Sequence, residues 1–481
     1  MANPILILHK IADCVFDLTG LRTGSVRDQL LRASLLANCL RDEKAIFGSS
    51  ELLVIGAGAA GMCAALTAAK RGVNVTVVEK EASPFFTFYS AAWREIDPVE
   101  YDWPHDHYNL GHFPISPGHF FLAQTRGTGA NLASLWTIVW NDWLNRLDGK
   151  GGRGKITLLT NVNAKSIYGS RAYPKGVRDS IEVDGPFVSG NAKATKAFGA
   201  IIVAAGFESE RTDDERTPDK WNNYKGPAFW TDDDGVTGRS FPLPYKNIVI
   251  SGGGDGAMQD FQRVLTGCFG KSLLSELEKV ATNLPRFDIY KFRDKMLAAD
   301  SVGQRANAWQ DSKKPAKVAI AQWHAEFEKI VDDLLRPLTT GDLMALASGL
   351  FRREFFNPDH PKVTWVYQDQ TPGYAYALNR FLCLVLINIA SKPPFDKFIQ
   401  LYPHSYIDEI KPSYMTHQCS SATQCLKIPH DLTIKSHSVS NRPPIKISKA
   451  DLIIVRHGAV SQSISGGAPV PQQMLPFDFP S

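Results

Sequence analysis

The stretch ELLVIGAGAAGMCAALTAAKRGVNVTVVEK, Glu51 to Lys80, constrains this chain more than any other. An apolar run, Leu52 to Ile55, leads straight into glycines at 56, 58 and 61. A helix-prone, alanine-rich stretch follows, and a second apolar run, Val73 to Val78, ends on Glu79. This order predicts strand, glycine turn, helix and strand. Gly56 permits the tight turn, Gly58 lets a pyrophosphate reach the backbone, and Gly61 lets the helix pack on the strand. The anion would sit at the helix N-terminus, over Ala59 and Ala60, where unpaired N–H groups and the helix dipole favour negative charge. Glu79 stands where a carboxylate accepts hydrogen bonds from two ribose hydroxyls and repels a 2'-phosphate, with Lys80 beside it. The spacing therefore predicts FAD or NAD(H) at this loop and excludes NADP(H) there. The alternative is a glycine turn inside an ordinary βαβ unit.

With 481 residues, 44% hydrophobic and 21% charged, the chain suits a soluble globular protein of two or three domains. A net charge of +4 is too mild for nucleic acid to be the main partner. The longest apolar runs, Ala197 to Phe207 and Phe381 to Ala390, fall short of the roughly 18 residues a membrane span needs, so no membrane partner is expected. The N-terminus MANPILILHK has no basic segment ahead of its apolar run and reads as no signal peptide. Seven scattered cysteines suit a reducing compartment, and the expectation is cytoplasmic.

Residues 1–48 precede the first cofactor strand. Leucines at helical spacing in Ser25 to Ile46 predict an added helix, packed on the core or free for an oligomer or protein partner. An aromatic loop, Ser83 to Phe121, follows Glu79. A helix is then expected from Asn131 to Leu147, strands within Lys155 to Gly169 and Asp179 to Gly185, and a buried strand in FGAIIVAAGF, Phe198 to Phe207. The glycine loop with its terminal Glu, a later strand ending near Val162 and the AAG turn at Gly206 resemble the FAD-binding half of flavoproteins with two dinucleotide-binding domains. That superfamily includes thioredoxin-reductase-like enzymes and flavin monooxygenases. The resemblance covers about residues 50–260. It implies that Val162 meets adenine through its backbone and that the turn at Gly206 closes over the cofactor.

A second glycine loop lies in NIVISGGGDGAMQDFQRVLTG, where the strand Ile248 to Ile250 runs into Gly252, Gly254 and Ala257. It is similar to the NADPH loop of the same family, with alanine in the third glycine's place. A competing reading makes Gly254 and Asp255 a Gly-Asp pair holding the ribityl chain of FAD, and a third makes the glycines structural. No strand ending in a charged residue appears about 20 residues later. Instead a long charged insertion runs to about residue 360, with helices expected at Lys271–Val280, Ala316–Leu335, Thr340–Phe351 and Tyr376–Ala390 and a strand at Lys362–Asp369.

The chain offers no complete catalytic set. Cys419 and Cys425 are the only close cysteine pair and lack the spacing of a redox dithiol. His105, His107, His112 and His119 crowd one loop without the framing of a zinc site, so no metal is expected; His105 or His107 is a candidate for substrate contact. Asp232, Asp233 and Asp234 read as a solvated turn. Arg456 and His457, ending the buried strand in ADLIIVRHG, are candidates for a cation beside the flavin.

The reading that results is an α/β protein with a Rossmann-like FAD-binding domain and a second Rossmann-like or helical-cap domain inserted. Its expected parts are an N-terminal extension (1–48), the FAD domain (49–245), a second glycine-loop domain (246–445), and a strand returning to the FAD domain with a tail (446–481). The expected activity is that of an FAD-dependent oxidoreductase reduced by NADPH or NADH and acting on a small-molecule substrate or oxygen. The alternatives are an amine or alcohol oxidase without nicotinamide and a flavin-binding regulatory protein.

Overall fold

The computed structural model describes residues 3–19, 26–43, 45–46, 50–106, 108, 122, 125–163, 168–172, 181–188, 192–213, 218–230, 234–238, 242–305, 314–373, 375–393, 395–413, 428–437 and 443–461. The chain forms two compact units: Met1–Pro98, Leu110–Glu208 and Val460–Ser481 make the first, and Val99–Asn109 with Ser209–Ala459 the second.

The first unit contains α1 (Pro4–His9), β1 (Lys10–Ala12), β2 (Val15–Asp17), α2 (Val26–Asp42), β3 (Glu51–Ile55), α3 (Ala59–Lys70), β4 (Asn74–Val78), α4 (Phe86–Ser90), β5 (Glu95–Ile96), β6 (Gly127–Thr128), α5 (Gly129–Asp142), β7 (Ile156–Leu159), β8 (Tyr168–Ala172), β9 (Ile181–Val188), β10 (Ala192–Phe198) and β11 (Ala200–Val203), with β12 (Phe207–Glu210) at its exit. Its main sheet has the order β1-β2-β11-β3-β4-β7 and is parallel from β2 to β7. The central strands β3, β4 and β11 are apolar and almost wholly buried, as a parallel sheet covered on both faces requires.

The N-terminal extension is part of this unit. β2 pairs in parallel with β11, from Val15↔Ile201 to Asp17↔Val203, so residues before 48 supply strands as well as the expected helix. The leucines of α2 face inward: Leu30, Leu31, Leu36 and Leu40 are buried, and the Cys63 thiol of α3 donates to Leu30 O at 3.4 Å. Each such leucine contributes about 1.5–3 kcal/mol by leaving water. The helix spends its apolar stripe inside the unit.

The second unit contains β13 (Asn247–Ser251), α6 (Asp255–Thr266), α7 (Gly270–Ala281), α8 (Arg293–Arg305), α9 (Lys314–Leu335), α10 (Thr340–Leu350), β14 (Lys362–Val366), α11 (Ala377–Ala390), β15 (Ile399–Tyr402), β16 (Ser405–Pro412), β17 (His430–Ser436), β18 (Ile445–Ala450) and β19 (Leu452–Val455). β13 is central in an all-parallel sheet of order β15-β14-β13-β19, and β16, β17 and β18 form a separate antiparallel sheet. Helices α6 to α11 surround one large apolar cluster that includes Phe261, Trp323, Phe327, Trp365 and Phe381. Two expectations are corrected here. The strand after residue 450 does not return to the first sheet: β19 pairs in parallel with β13 and forms the edge of the second sheet, its four residues all buried. The segment before β13, from Ser209 onward, also belongs to the second unit, so the boundary precedes residue 245.

Candidate functional site

The two glycine loops occupy equivalent places in their sheets, and the first is the simpler. Gly56 has φ +104°, and its N–H donates to Val78 O at 2.8 Å, tying the turn to β4. A Cβ at Gly56 would lie 2.4 Å from Ala204 O, and one at Gly61 only 1.9 Å from Gly56 O, so neither position admits a side chain without backbone movement. Gly58 differs. It precedes α3 in an extended conformation, and a Cβ there meets nothing within 4 Å. Ala59, Ala60 and Gly61 form the first turn behind it, at a helix end that no side chain caps. The edge of the loop therefore offers open N–H groups and clear space, which fits a pyrophosphate.

Glu79 is held ready beside this edge. Its carboxylate accepts from Ala57 N at 2.6 Å and Glu81 N at 2.9 Å, one backbone donor on each oxygen. Each oxygen keeps a lone pair that a ribose hydroxyl can use. Val162 N donates to Glu79 O at 2.8 Å, bringing the candidate adenine-side residue next to the candidate ribose acceptor. Lys80 is exposed, 3.7 Å from Glu81. Gly206 has φ +71° with nothing within 4 Å of its Cβ direction, so the AAG turn ends in open space at the end of β11.

The second loop repeats this plan residue by residue. Gly252 has φ +135°, its N–H donates to Val366 O at 2.9 Å, and a Cβ there would lie 2.3 Å from Arg456 O. Gly254 precedes α6 in an extended conformation, as Gly58 precedes α3. The pairing Ser251↔Val366 in the second sheet matches Ile55↔Val78 in the first. Tyr367 consequently stands where Glu79 stands, and Arg456, His457 and Gly458 stand where Ala204, Ala205 and Gly206 do. The strand that seemed missing after this loop is β14, displaced to residue 362 by the helices inserted in the crossover. Ala257, in the third glycine's place, is fully buried, and the indole of Trp365 donates to Gly252 O at 2.7 Å.

Asp255 opens α6. Its carboxylate accepts from Tyr376 N (3.1 Å), Asn379 Nδ2 (2.9 Å) and Gln259 Nε2 (3.0 Å), so it pins the start of α11 to the start of α6. Removal from water, opposed by these bonds, pushes its pKa up to about 6. Segment 372–373 crosses Gly253 within van der Waals reach, held by the buried Arg380, whose guanidinium donates to Pro372 O (3.1 Å) and Gly373 O (3.2 Å).

Arg456 and His457 belong to the second loop. The pairing of β19 with β13 sets them at the end of the second sheet. Arg456 Nε donates to Asp260 Oδ2 at 2.6 Å, NH1 donates to Pro227 O (2.6 Å) and Val455 O (2.9 Å), and the guanidinium lies over the Phe229 ring at 5.5 Å. Asp260 also pairs with Arg263, which reaches Asp234 at 2.6 Å, and all three are buried. Asp234 is thus half of a buried ion pair rather than part of a solvated turn; Asp232 and Asp233 lie outside the described residues. His457 Nε2 is 2.9 Å from Ser251 Oγ.

The described histidine of the aromatic loop is paired with α8. His105 Nε2 lies 3.5 Å from Asp300 Oδ2 of α8, which raises its pKa by hydrogen bonding, and the Arg293 Nε donates to Pro104 O at 3.0 Å to hold the same loop on that helix. His107, His112, His119, Cys419 and Cys425 lie outside the described residues. Among the described residues no group of three His, Cys, Asp or Glu could hold a metal ion, and no helix is long and apolar enough to cross a membrane. Tyr367 and the second-loop setting of Arg456 escaped the sequence reading. The available signal was the internal repeat itself, once 56–61 is laid on 252–257 and 204–206 on 456–458.

Residues 51–93 match the family described as FAD binding domain, the segment that carries the first loop and Glu79. No curated protein matches the chain. Among solved structures it is similar to Lactococcus lactis thioredoxin reductase, with 12% identity, 85% of this chain and 78% of that chain covered, and a TM-score of 0.36. The ornithine N-hydroxylase of Kutzneria sp. 744 gives 9% identity, 86% and 81% coverage and a TM-score of 0.34. The protein OTEMO, solved in complex with FAD and NADP, gives 12%, 86% and 71%, and 0.38.

Proposed function

We propose that this chain is an FAD-dependent oxidoreductase that holds the ADP half of FAD at the Gly56 loop and takes reducing equivalents from a nicotinamide dinucleotide held at the Gly252 loop. The observation that carries the reading is the first loop: an open edge at Gly58, an uncapped helix N-terminus, and a Glu79 carboxylate already fixed by two backbone donors. Gly58, Ala59 and Ala60 would hold the pyrophosphate, Glu79 the ribose, and Val162 the adenine side. FAD, when bound, supplies the hydride chemistry, and the protein's part is to bind, orient and exclude water. The duplicate loop supports a second dinucleotide, because it reproduces the turn, the helix start and the strand register of the first.

The purified protein is expected to be yellow and to release FAD on denaturation. Gly58→Val is expected to abolish flavin binding by filling the pyrophosphate's place. Anaerobic NADH or NADPH is expected to bleach the bound flavin. Colourless protein that cannot be reconstituted with FAD overturns the first half of the reading. A flavin that neither nicotinamide bleaches overturns the second half and favours an oxidase reduced directly by its organic substrate.

A further inference from the structure

The chain leaving β4 and the chain leaving β14 each cross the glycine loop beside them, and the two crossings are secured differently. In the first unit the tie is backbone: Phe85 N donates to Ala57 O at 2.9 Å. In the second, Pro372 and Gly373 lie over Gly253, with Gly373 N 3.6 Å and Pro372 Cα 3.8 Å from the Cβ position of that glycine. Behind them stands Arg380 of α11, wholly buried, whose NH1 donates to Pro372 O at 3.1 Å and NH2 to Gly373 O at 3.2 Å. Its one side-chain hydrogen-bond partner among the described residues is His324 of α9, with NH1 and Nδ1 2.7 Å apart. The Trp323 ring centre lies 4.5 Å from the guanidinium carbon, and Nε meets no acceptor among the described residues. A buried cation is thus held by two carbonyls, an imidazole and an indole face, and among the described residues no carboxylate is in ion-pair contact with it.

That contact fixes the state of the imidazole. A guanidinium only donates, so Nδ1 is the bare nitrogen and the ring proton sits on Nε2, 3.5 Å from Glu328 Oε1. A proton added at Nδ1 would set two donors and two positive charges against each other in a site closed to water. We propose that His324 and Arg380 form a pH-sensitive latch: neutral His324 anchors the guanidinium that holds Pro372 and Gly373 over the second glycine loop, and protonation of His324 releases them. The latch is independent of what the loop binds. Glu328 is half exposed where His324 is buried, and gives protons a route to the ring. Burial, helped by Arg380 and opposed by Glu328, holds the His324 pKa below its ordinary 6.5. Around the pair, Arg380 stays charged with a pKa lowered to about 10, while burial pushes Tyr367 and Cys383 up and keeps them neutral. Asp300 of α8 is engaged with His105. Above pH 6.5 the closed form is undisturbed. Below it the open form takes a proton that the closed form refuses, so opening grows by up to about tenfold per pH unit. Asp255 of α6 works the other way, because below about pH 6 its extra proton belongs to the closed form.

Hydrogen exchange of the full chain, read by mass spectrometry from about pH 7.5 down to about pH 5 and corrected for the intrinsic rate, tests the latch. The probe is the peptide carrying Tyr376 and Arg380, whose amides bond to Asp255 and to Tyr376 O. Peptides around Val385, farther along α11, and around Met62, in the first unit, are the references. Protection of the probe is expected to fall about 10-fold between pH 6.5 and about pH 5 while both references stay level. His324→Asn offers an amide oxygen in place of Nδ1 and cannot take the proton, so its probe should stay protected throughout. Glu328→Gln, at a half-exposed position, removes the carboxylate that favours the charged ring and should move the fall to lower pH. Asp255→Asn removes the opposing titration and should steepen the fall. Level protection in the wild type overturns the latch, as does the same fall in His324→Asn or an unmoved fall in Glu328→Gln. A fall shared by the Val385 peptide means that the whole unit loosens, and one that vanishes in Asp255→Asn belongs to Asp255; either result also overturns it.

Discussion

The two glycine loops are built to one plan and stabilised in opposite ways. The first is made of backbone and small side chains: two glycines that cannot be replaced, two alanines behind them, and one glutamate. The second keeps the turn but surrounds it with charge, the buried network of Arg456, Asp260, Arg263 and Asp234 on one side and half-buried Asp255 with buried Arg380 on the other. The comparison teaches that the loop geometry comes from strand register and a left-handed glycine, whereas the surroundings decide how the loop fails when altered. A backbone-built loop fails by collision. A charge-built loop fails by leaving an ion unpaired.

That contrast is sharpest at Asp260. Asp260→Ala leaves buried Arg456 without a carboxylate and takes one of the two from Arg263, which keeps Asp234, and should lower unfolding stability of the second unit by about 3–5 kcal/mol; denaturant unfolding of the variant checks it, and a loss under 1 kcal/mol would mean that water reaches the network. At the third glycine's place a reciprocal pair breaks the symmetry. Gly61→Ala pushes a methyl to 1.9 Å from Gly56 O and should cost roughly 2–4 kcal/mol together with flavin retention, whereas Ala257→Gly should cost only about 1 kcal/mol. Equal losses in the two melting curves would show that the loops are built alike after all.

The smallest effect is a titration. The Asp255 pKa is raised from 3.8 to about 6. Between those values the folded chain holds more protons than the unfolded one, so stability falls as pH rises from about 4 to about 6 and stays reduced at pH 7. Asp255→Asn keeps an acceptor for Tyr376 N and Asn379 and, with Gln259 turned over, a donor for the remaining contact. It should raise stability at pH 7 by about 1–2 kcal/mol, allowing for partial solvent screening, and flatten the slope between pH 4 and 6. An unchanged slope would assign the pH dependence elsewhere.

Much of this contrast was legible in the sequence. Gly56, Gly58, Gly61 and Glu79 announced the first loop because each answers a local steric or hydrogen-bonding need. The helices α6, α7, α9, α10 and α11 followed from apolar spacing. The strand at Lys362–Asp369 was legible, but its pairing with β13 was hidden, because β14 lies beyond residues 252–361 and its distance from Gly252 gives no hint that the two pair. β2 was hidden because three residues of VFD carry too little pattern to mark a strand. Arg456 was visible as a charged strand end, but the sheet it served depended on whether β19 joined β3 or β13. Local pattern says nothing about partner choice between two parallel sheets whose strands are equally apolar.

The long crossover between β13 and β14 also sets an order of events during synthesis. β13 lies between β14 and β19 in the sheet, so it emerges from the ribosome with both edges bare and gains its neighbours only after the intervening helices, and then the antiparallel sheet, have been made. Such long-range parallel pairing is slow and leaves apolar edges exposed meanwhile. The first unit completes its four central strands with β11, before β13 is translated at all. A nascent chain stalled before Leu452 would thus carry a finished first cradle and an unfinished second one, and it would depend on chaperones to shield β13 until Arg456 arrives.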